Sequence, residues 1–160
     1  MAEQNTKWER QCPDCNTVFG SVQCWGICPQ CELRFLVDRT GNLIDRGNRP
    51  ADRSAGIALS ERTLHLITTL FPIPDGVVIA DVLRRAVSEN IPFCDNASPE
   101  EMERIRFAIL KMTVSSPLNL AVGIQMAQSD WRDLLMNVGF GDDTSRHLDW
   151  YAEQTAETAG

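Results

Sequence analysis

The apolar positions of this chain change period near residue 57. Before it they come in short alternating runs broken by Cys, Pro and Gly; after it they recur at spacings of three and four. In LRFLVDRTGNLIDRG, Leu33, Phe35 and Val37 alternate with more polar or less buried positions, and Thr40-Gly41-Asn42 supplies turn chemistry before Leu43 and Ile44. The pattern predicts a hairpin of residues 33–38 with 43–46. Residues 47–56 are polar, rich in Gly and Arg, and read as a connector.

The helical pattern begins with LSERTLHLITTLF, where Leu59, Leu66, Ile67 and Leu70 fall at helical spacing behind Ser60 as N-cap. Pro72 and Pro74 end that helix. Asp75 caps a second one, with Val78, Val82 and Ala86 on one face, and Pro92 closes it. Ser98-Pro99-Glu100-Glu101 is the clearest start signal, with Ser at N-cap, Pro at N1 and Glu at N3. Ser116-Pro117 opens another helix by the same logic. Asp130 begins a segment with Trp131, Leu134, Leu135 and Val138 that stops at Gly139. Asp142 or Asp143 caps a last helix through His147, Leu148 and Tyr151, and residues 153–160 are expected to fray. The expected organisation is a small β module at 8–46, a linker at 47–56 and an all-α domain of five or six short helices at 57–152.

Cysteine placement sharpens the first of these units. Five of the six cysteines fall within residues 12–31. CPDCNTVF, from Cys12, aligns with CPQCELRF, from Cys28: Cys-Pro-x-Cys, three residues, then Phe. A Cys-x2-Cys pair can fold as a tight knuckle that aims two sulfurs at one ion, with the Pro fixing φ early in the turn and the Phe packing below. Twelve residues separate Cys15 from Cys28, enough for a short hairpin that returns the second knuckle to the first. Cys12, Cys15, Cys28 and Cys31 are the expected ligands of a tetrahedral zinc; iron in the same four-sulfur site is the minor alternative.

This double knuckle resembles the zinc-ribbon (rubredoxin-like) families, which place two knuckles at the ends of β-hairpins. The resemblance covers residues 8–46 and implies a small β zinc ribbon followed by the all-α domain; no family is suggested for residues 56–160. Ribbons serve nucleic-acid binding, protein docking and plain structure alike, so the resemblance implies a metal before it implies a function. Asn16 and Glu32 stand where the commonest knuckle has Gly.

Cys24 completes a Cys-x3-Cys-x2-Cys spacing with Cys28 and Cys31, the spacing of radical S-adenosylmethionine enzymes. The large barrel such enzymes need is beyond 160 residues, so Cys24 is read as a packed thiol beside Trp25. Trp25 has two readings. It is either a protein-contact anchor exposed on the ribbon, or a ring packed against the helical domain that fixes one orientation of the two units.

Charge narrows the partners. The net charge is −7; residues 1–53 are balanced, with seven basic and seven acidic side chains, and the rest carries eight basic against fifteen acidic. Such a surface repels phosphate backbones unless basic residues gather on one face, for which Arg34, Arg39, Arg46 and Arg49 are the candidates. No apolar run approaches the roughly 18 residues of a membrane span. The opening MAEQNTKWERQ has no apolar h-region, which predicts a cytoplasmic protein whose clustered cysteines hold metal and not disulfides.

Catalytic candidates are few. The chain has two histidines. His65, in LHLITTL, reads as a satisfied, partly buried side chain. His147 lies in GDDTSRHLDWY with Asp143 four residues before it, a spacing that can orient an imidazole as a base or simply support a terminal helix. A four-thiolate shell leaves zinc no open position and blunts its Lewis acidity. The reading is a non-enzymatic protein-interaction or regulatory adaptor with a structural zinc site. A nucleic-acid-binding regulator using the ribbon and linker arginines is the first alternative, and a small hydrolase around His147 the second.

Overall fold

The computed structural model describes residues 8–21, 24–38, 40–46, 58–87, 91 and 97–156. The predicted linker, Pro92, Cys94 and the last four residues lie outside this set. Five short strands precede five helices among the described residues: β1 (Trp8–Gln11), β2 (Val18–Ser21), β3 (Trp25–Ile27), β4 (Arg34–Val37), β5 (Leu43–Arg46), α1 (Glu61–Leu70), α2 (Asp75–Ala86), α3 (Pro99–Ser115), α4 (Asn119–Asn137) and α5 (Arg146–Ala156). None of the helices is long and apolar enough to cross a membrane.

The strands form two antiparallel sheets, β1-β2 and β3-β4-β5. Each Cys-x2-Cys lies in the turn of one hairpin, between β1 and β2 or between β3 and β4. β2 and β3 therefore do not pair with each other, as a hairpin joining the two knuckles would require; each strand pairs across its own knuckle instead. The predicted β4–β5 hairpin forms, with Phe35 opposite Arg46 and Val37 opposite Leu43. Its turn is closed by Asp38, whose carboxylate accepts from the Thr40 and Asn42 amides, both at 2.8 Å. These hydrogen bonds hold the Asp38 carboxyl down at about 2, with the Thr40 hydroxyl the largest contributor.

α1 and α3 start at their expected caps, whereas Asp75 is the first residue of α2 and not its cap, with Pro74 before it and its carboxylate accepting from Trp25. Ser60 accepts from the Thr63 amide at 3.1 Å and also donates to Glu103 of α3. Glu103, 2% exposed, is held further by Arg62 at 3.0 and 2.9 Å, so the start of α1 is tied to α3 through a buried carboxylate. Ser98 and Glu101 form the complete capping box of α3. α4 starts later than its Ser-Pro signal, at Asn119, after a turn closed by the Asn119 amide on the Ser116 carbonyl at 2.9 Å. At the expected boundary α4 is kinked: Asp130 leaves helical geometry (φ −153°, ψ 104°) and its carboxylate accepts from the Arg132 amide at 2.9 Å, as the start of a second helical segment. Among the described residues the expected five or six helices are five, one of them kinked into two segments at Asp130. Gly139, at φ +79°, ends α4 in the left-handed conformation that a side chain disfavours. Asp143, and not Asp142, braces the entry to α5 by accepting from the Ser145 amide at 2.8 Å. α5 continues to Ala156, past the expected onset of fraying.

The main core joins apolar faces of all five helices, among them Leu66, Val82, Ile109, Leu120, Leu134 and Trp150. It also takes in Cys24, Trp25 and Leu36 from the β region. A second, smaller cluster consists of Cys12, Cys28, Leu33, Phe35 and Val37, with Phe19 and Cys31 at its margin. β4 thus lies between two cores. Phe35 and Val37 face the cysteines, and Leu36, pointing the other way by strand alternation, faces the helices.

Candidate metal centre

The two knuckles are built alike, sixteen residues apart. In the first, the Cys12 amide donates to the Thr17 carbonyl at 2.9 Å and the Asn16 amide to the Cys12 carbonyl at 3.0 Å. In the second, Cys28 donates to Leu33 and Glu32 to Cys28, both at 2.9 Å. Asn16 and Glu32 turn the chain at φ +59° and +58°, the left-handed region where Gly is the ordinary occupant. Asn enters this region at little cost, but a Cβ-bearing Glu is strained there by about 1–2 kcal/mol. Glu32→Gly should relieve that strain at the price of some chain entropy. A net stabilisation of about 0.5–1 kcal/mol is expected in denaturant titration, with a smaller gain for Asn16→Gly.

Both turns deliver their sulfurs to one point. The Sγ atoms of Cys12, Cys15, Cys28 and Cys31 all lie within 4.8 Å of one another. The short contacts run between knuckles, Cys12 to Cys31 and Cys15 to Cys28, each at 3.5 Å. A disulfide requires about 2.0 Å, and all four residues are free thiols. Tetrahedral zinc–sulfur bonds of about 2.3 Å place sulfurs about 3.8 Å apart, so the cluster fits one tetrahedral ion. Cys12 and Cys28 are fully buried, Cys31 is half-buried and Cys15 is exposed.

Electrostatics favour a cation at the same point. Hydrogen bonds from the Thr17 hydroxyl and amide lower Cys15 to about 6. Against the lowering effect of the Leu33 amide, desolvation and the neighbouring thiols push Cys31 up to about 12. The set resists losing its later protons because thiolates crowd one another, and a divalent cation removes that penalty.

Packing below the site follows the repeat. Phe19 and Phe35, each four residues after the last Cys of its knuckle, meet edge to face with centroids 5.8 Å apart. Gly26 lets the rings close over β3: a Cβ there would approach Phe35 at 3.1 Å and Phe19 at 3.2 Å.

The other candidate residues are placed elsewhere. Cys24 is fully buried with its thiol donating to the Pro117 carbonyl at 3.1 Å, and burial pushes it up to about 11. Trp25 is 4% exposed and its Nε1 donates to Asp75 Oδ1 at 3.1 Å, which is the docked arrangement of its two readings. Arg34 pairs with Asp81 of α2. Arg46 is a β5 residue, and Arg39 and Arg49 lie outside the described residues. Of these four arginines, Arg34 is the one with a described side chain.

His65 is exposed, more open than expected, and satisfied by the Tyr151 hydroxyl at 2.8 Å. His147 is 5% exposed and packed edge-on by Phe107 and Phe140, at centroid distances of 5.6 and 6.4 Å. Burial lowers its pKa from the ordinary value. Asp143 spends its carboxylate on Ser145, so the spaced Asp–His pair does not form a hydrogen bond.

Sequence reasoning missed Leu36 and Asp81, which join the two units. The signal for Leu36 was the unbroken Phe35-Leu36-Val37 run, the mark of a strand covered on both faces. Comparison with protein-family models, with curated proteins and with solved structures finds no match to this chain.

Proposed function

We propose that the protein is a non-enzymatic interaction or regulatory adaptor in which Cys12, Cys15, Cys28 and Cys31 hold one structural zinc ion. The observation that carries this reading is the convergence of four thiols from two equivalent knuckles on a single point, half of them fully buried. When bound, zinc supplies the cross-link between the two hairpins. Four sulfur donors complete its tetrahedral shell, which suits a structural role and leaves no position for water.

The setting of His147, among aromatic rings and apart from the Asp143 carboxylate, weighs against the hydrolase alternative. Engagement of Arg34 by Asp81 removes one of the four arginines that the nucleic-acid alternative needs. We take the protein to act in the cytoplasm, in keeping with thiols held reduced.

The test is fluorescence anisotropy with single- and double-stranded oligonucleotides at physiological salt. Nothing tighter than about 1 μM is expected, the weak range of non-specific contacts. Sub-micromolar binding that weakens on Arg34→Ala and Arg39→Ala would overturn the adaptor reading in favour of a nucleic-acid regulator.

A further inference from the structure

The segment that carries the second knuckle also carries the joint to the helices. β3 and β4 flank Cys28 and Cys31, and between them they supply Cys24 (immediately before β3), Trp25, Arg34 and Leu36. Trp25 and Leu36 are directly opposite in the β3–β4 register and are 4% and 0% exposed. Three polar contacts rivet this hairpin to the helical unit: Trp25 to Asp75, Arg34 to Asp81, and the Cys24 thiol to the Pro117 carbonyl before α4. On the opposite face, Phe35 and Val37 pack with Cys12, Cys28 and Leu33. One two-residue-period strand therefore bears the metal centre on one side and the helical core on the other.

We propose that metal occupancy of the four-cysteine site controls docking of the β3–β4 hairpin on α2 and the α3–α4 turn, so that metal loss releases a latch and uncovers the helical core beneath Trp25 and Leu36. The inference rests on the metal-binding reading given above. Ordering the knuckle fixes the register in which Trp25 meets Leu36, and without that register the two side chains no longer share a face. Coupling between two sites is reciprocal, so docking must in turn tighten the metal.

Cys24 reports on the latch without being a ligand. Docked, its thiol is inaccessible, and the burial that pushes it up to about 11 keeps the thiolate scarce. The experiment uses the full chain under reducing conditions, zinc-loaded or stripped by a chelator. Alkylation at Cys24 is located by fragmentation mass spectrometry and helix content is followed by circular dichroism. Stripping should accelerate Cys24 alkylation at least about tenfold while helix content is kept, a coupling within the usual range.

Asp81→Ala removes the Arg34 contact from the helical side and leaves the ribbon sequence intact. It should raise the Cys24 rate in the zinc-loaded protein and weaken zinc, measured by competition with a chromogenic chelator, by about fivefold. A chain that binds one zinc yet protects Cys24 equally when stripped would overturn the latch and leave the metal centre standing. Cys24 exposure that appears only with loss of helix content would overturn it as well, since the hairpin would then be part of one cooperative unit. A chain that takes up no zinc would overturn the metal reading and the latch together.

Discussion

Replacing Cys12 by Ser should leave the chain without tightly held metal and without an ordered ribbon. Cys12 is fully buried at the point where the two knuckles meet, 3.5 Å from Cys31 across them. A neutral hydroxyl cannot replace a thiolate as a zinc ligand, and the three remaining sulfurs leave the shell open. The apolar content around the cysteines is small: Leu33, Phe35 and Val37 with the partly buried Phe19 are the residues packed there. Fewer than about 40 residues seldom fold on such a core without a metal or disulfide. Structural zinc is worth on the order of 10–16 kcal/mol to modules of this kind, so its loss exceeds any compensation from packing. Backbone NMR should show residues 8–46 collapsing into the random-coil range. The helices should persist by circular dichroism, with a lower melting temperature because the cover over Trp25 and Leu36 is gone.

Trp25→Ala should be among the most damaging single changes in the β region outside the four clustered cysteines. It removes a ring buried to 4% exposure between the β region and the helical core and deletes the hydrogen bond to Asp75. Losing a large buried ring costs about 3–5 kcal/mol, a sizeable share of the stability of a domain this size. The urea midpoint should fall accordingly while metal content stays at one per chain. Trp25→Phe keeps most of the apolar contact and loses the indole N–H, so a smaller cost, about 1–2 kcal/mol, is expected. A change below about 1 kcal/mol for the Ala variant would mean that the ring is not part of the joint between ribbon and helices.

Much of this architecture could be read from local signals. The repeated Cys-Pro-x-Cys with Phe at a fixed offset announces two equivalent turns and the rings beneath them. Ser98 with Glu101, Ser60 with Thr63, and Gly139 specify their helix ends through hydrogen bonds and φ values that only a few residues around them decide. Thr40-Gly41-Asn42 marks the β4–β5 turn for the same reason. What escaped depends on distant chain segments. Alternation puts Leu36 among the less buried positions because it shows which residues share a face, not whether the other face is covered. Trp25 and Arg34 acquire their roles from Asp75 and Asp81, about fifty residues further along, which no local pattern links to them. The absence of pairing between β2 and β3 is not decided locally, because loop length permits a hairpin there but does not require one. The break at Asp130 is another local signal, since its extended backbone and its carboxylate on the Arg132 amide start the second half of α4, while Ile124, Ala127, Leu134 and Leu135 hold both halves on one core.

The central claim, that four thiols hold one ion on which the ribbon depends, is tested most directly by elemental analysis of the purified full chain, paired with a heteronuclear NMR spectrum before and after metal removal. The account predicts one zinc per chain and loss of dispersed ribbon signals on stripping; an orange, iron-loaded protein would place iron in the same four-sulfur shell. A metal-free chain whose ribbon signals stay well dispersed would contradict it.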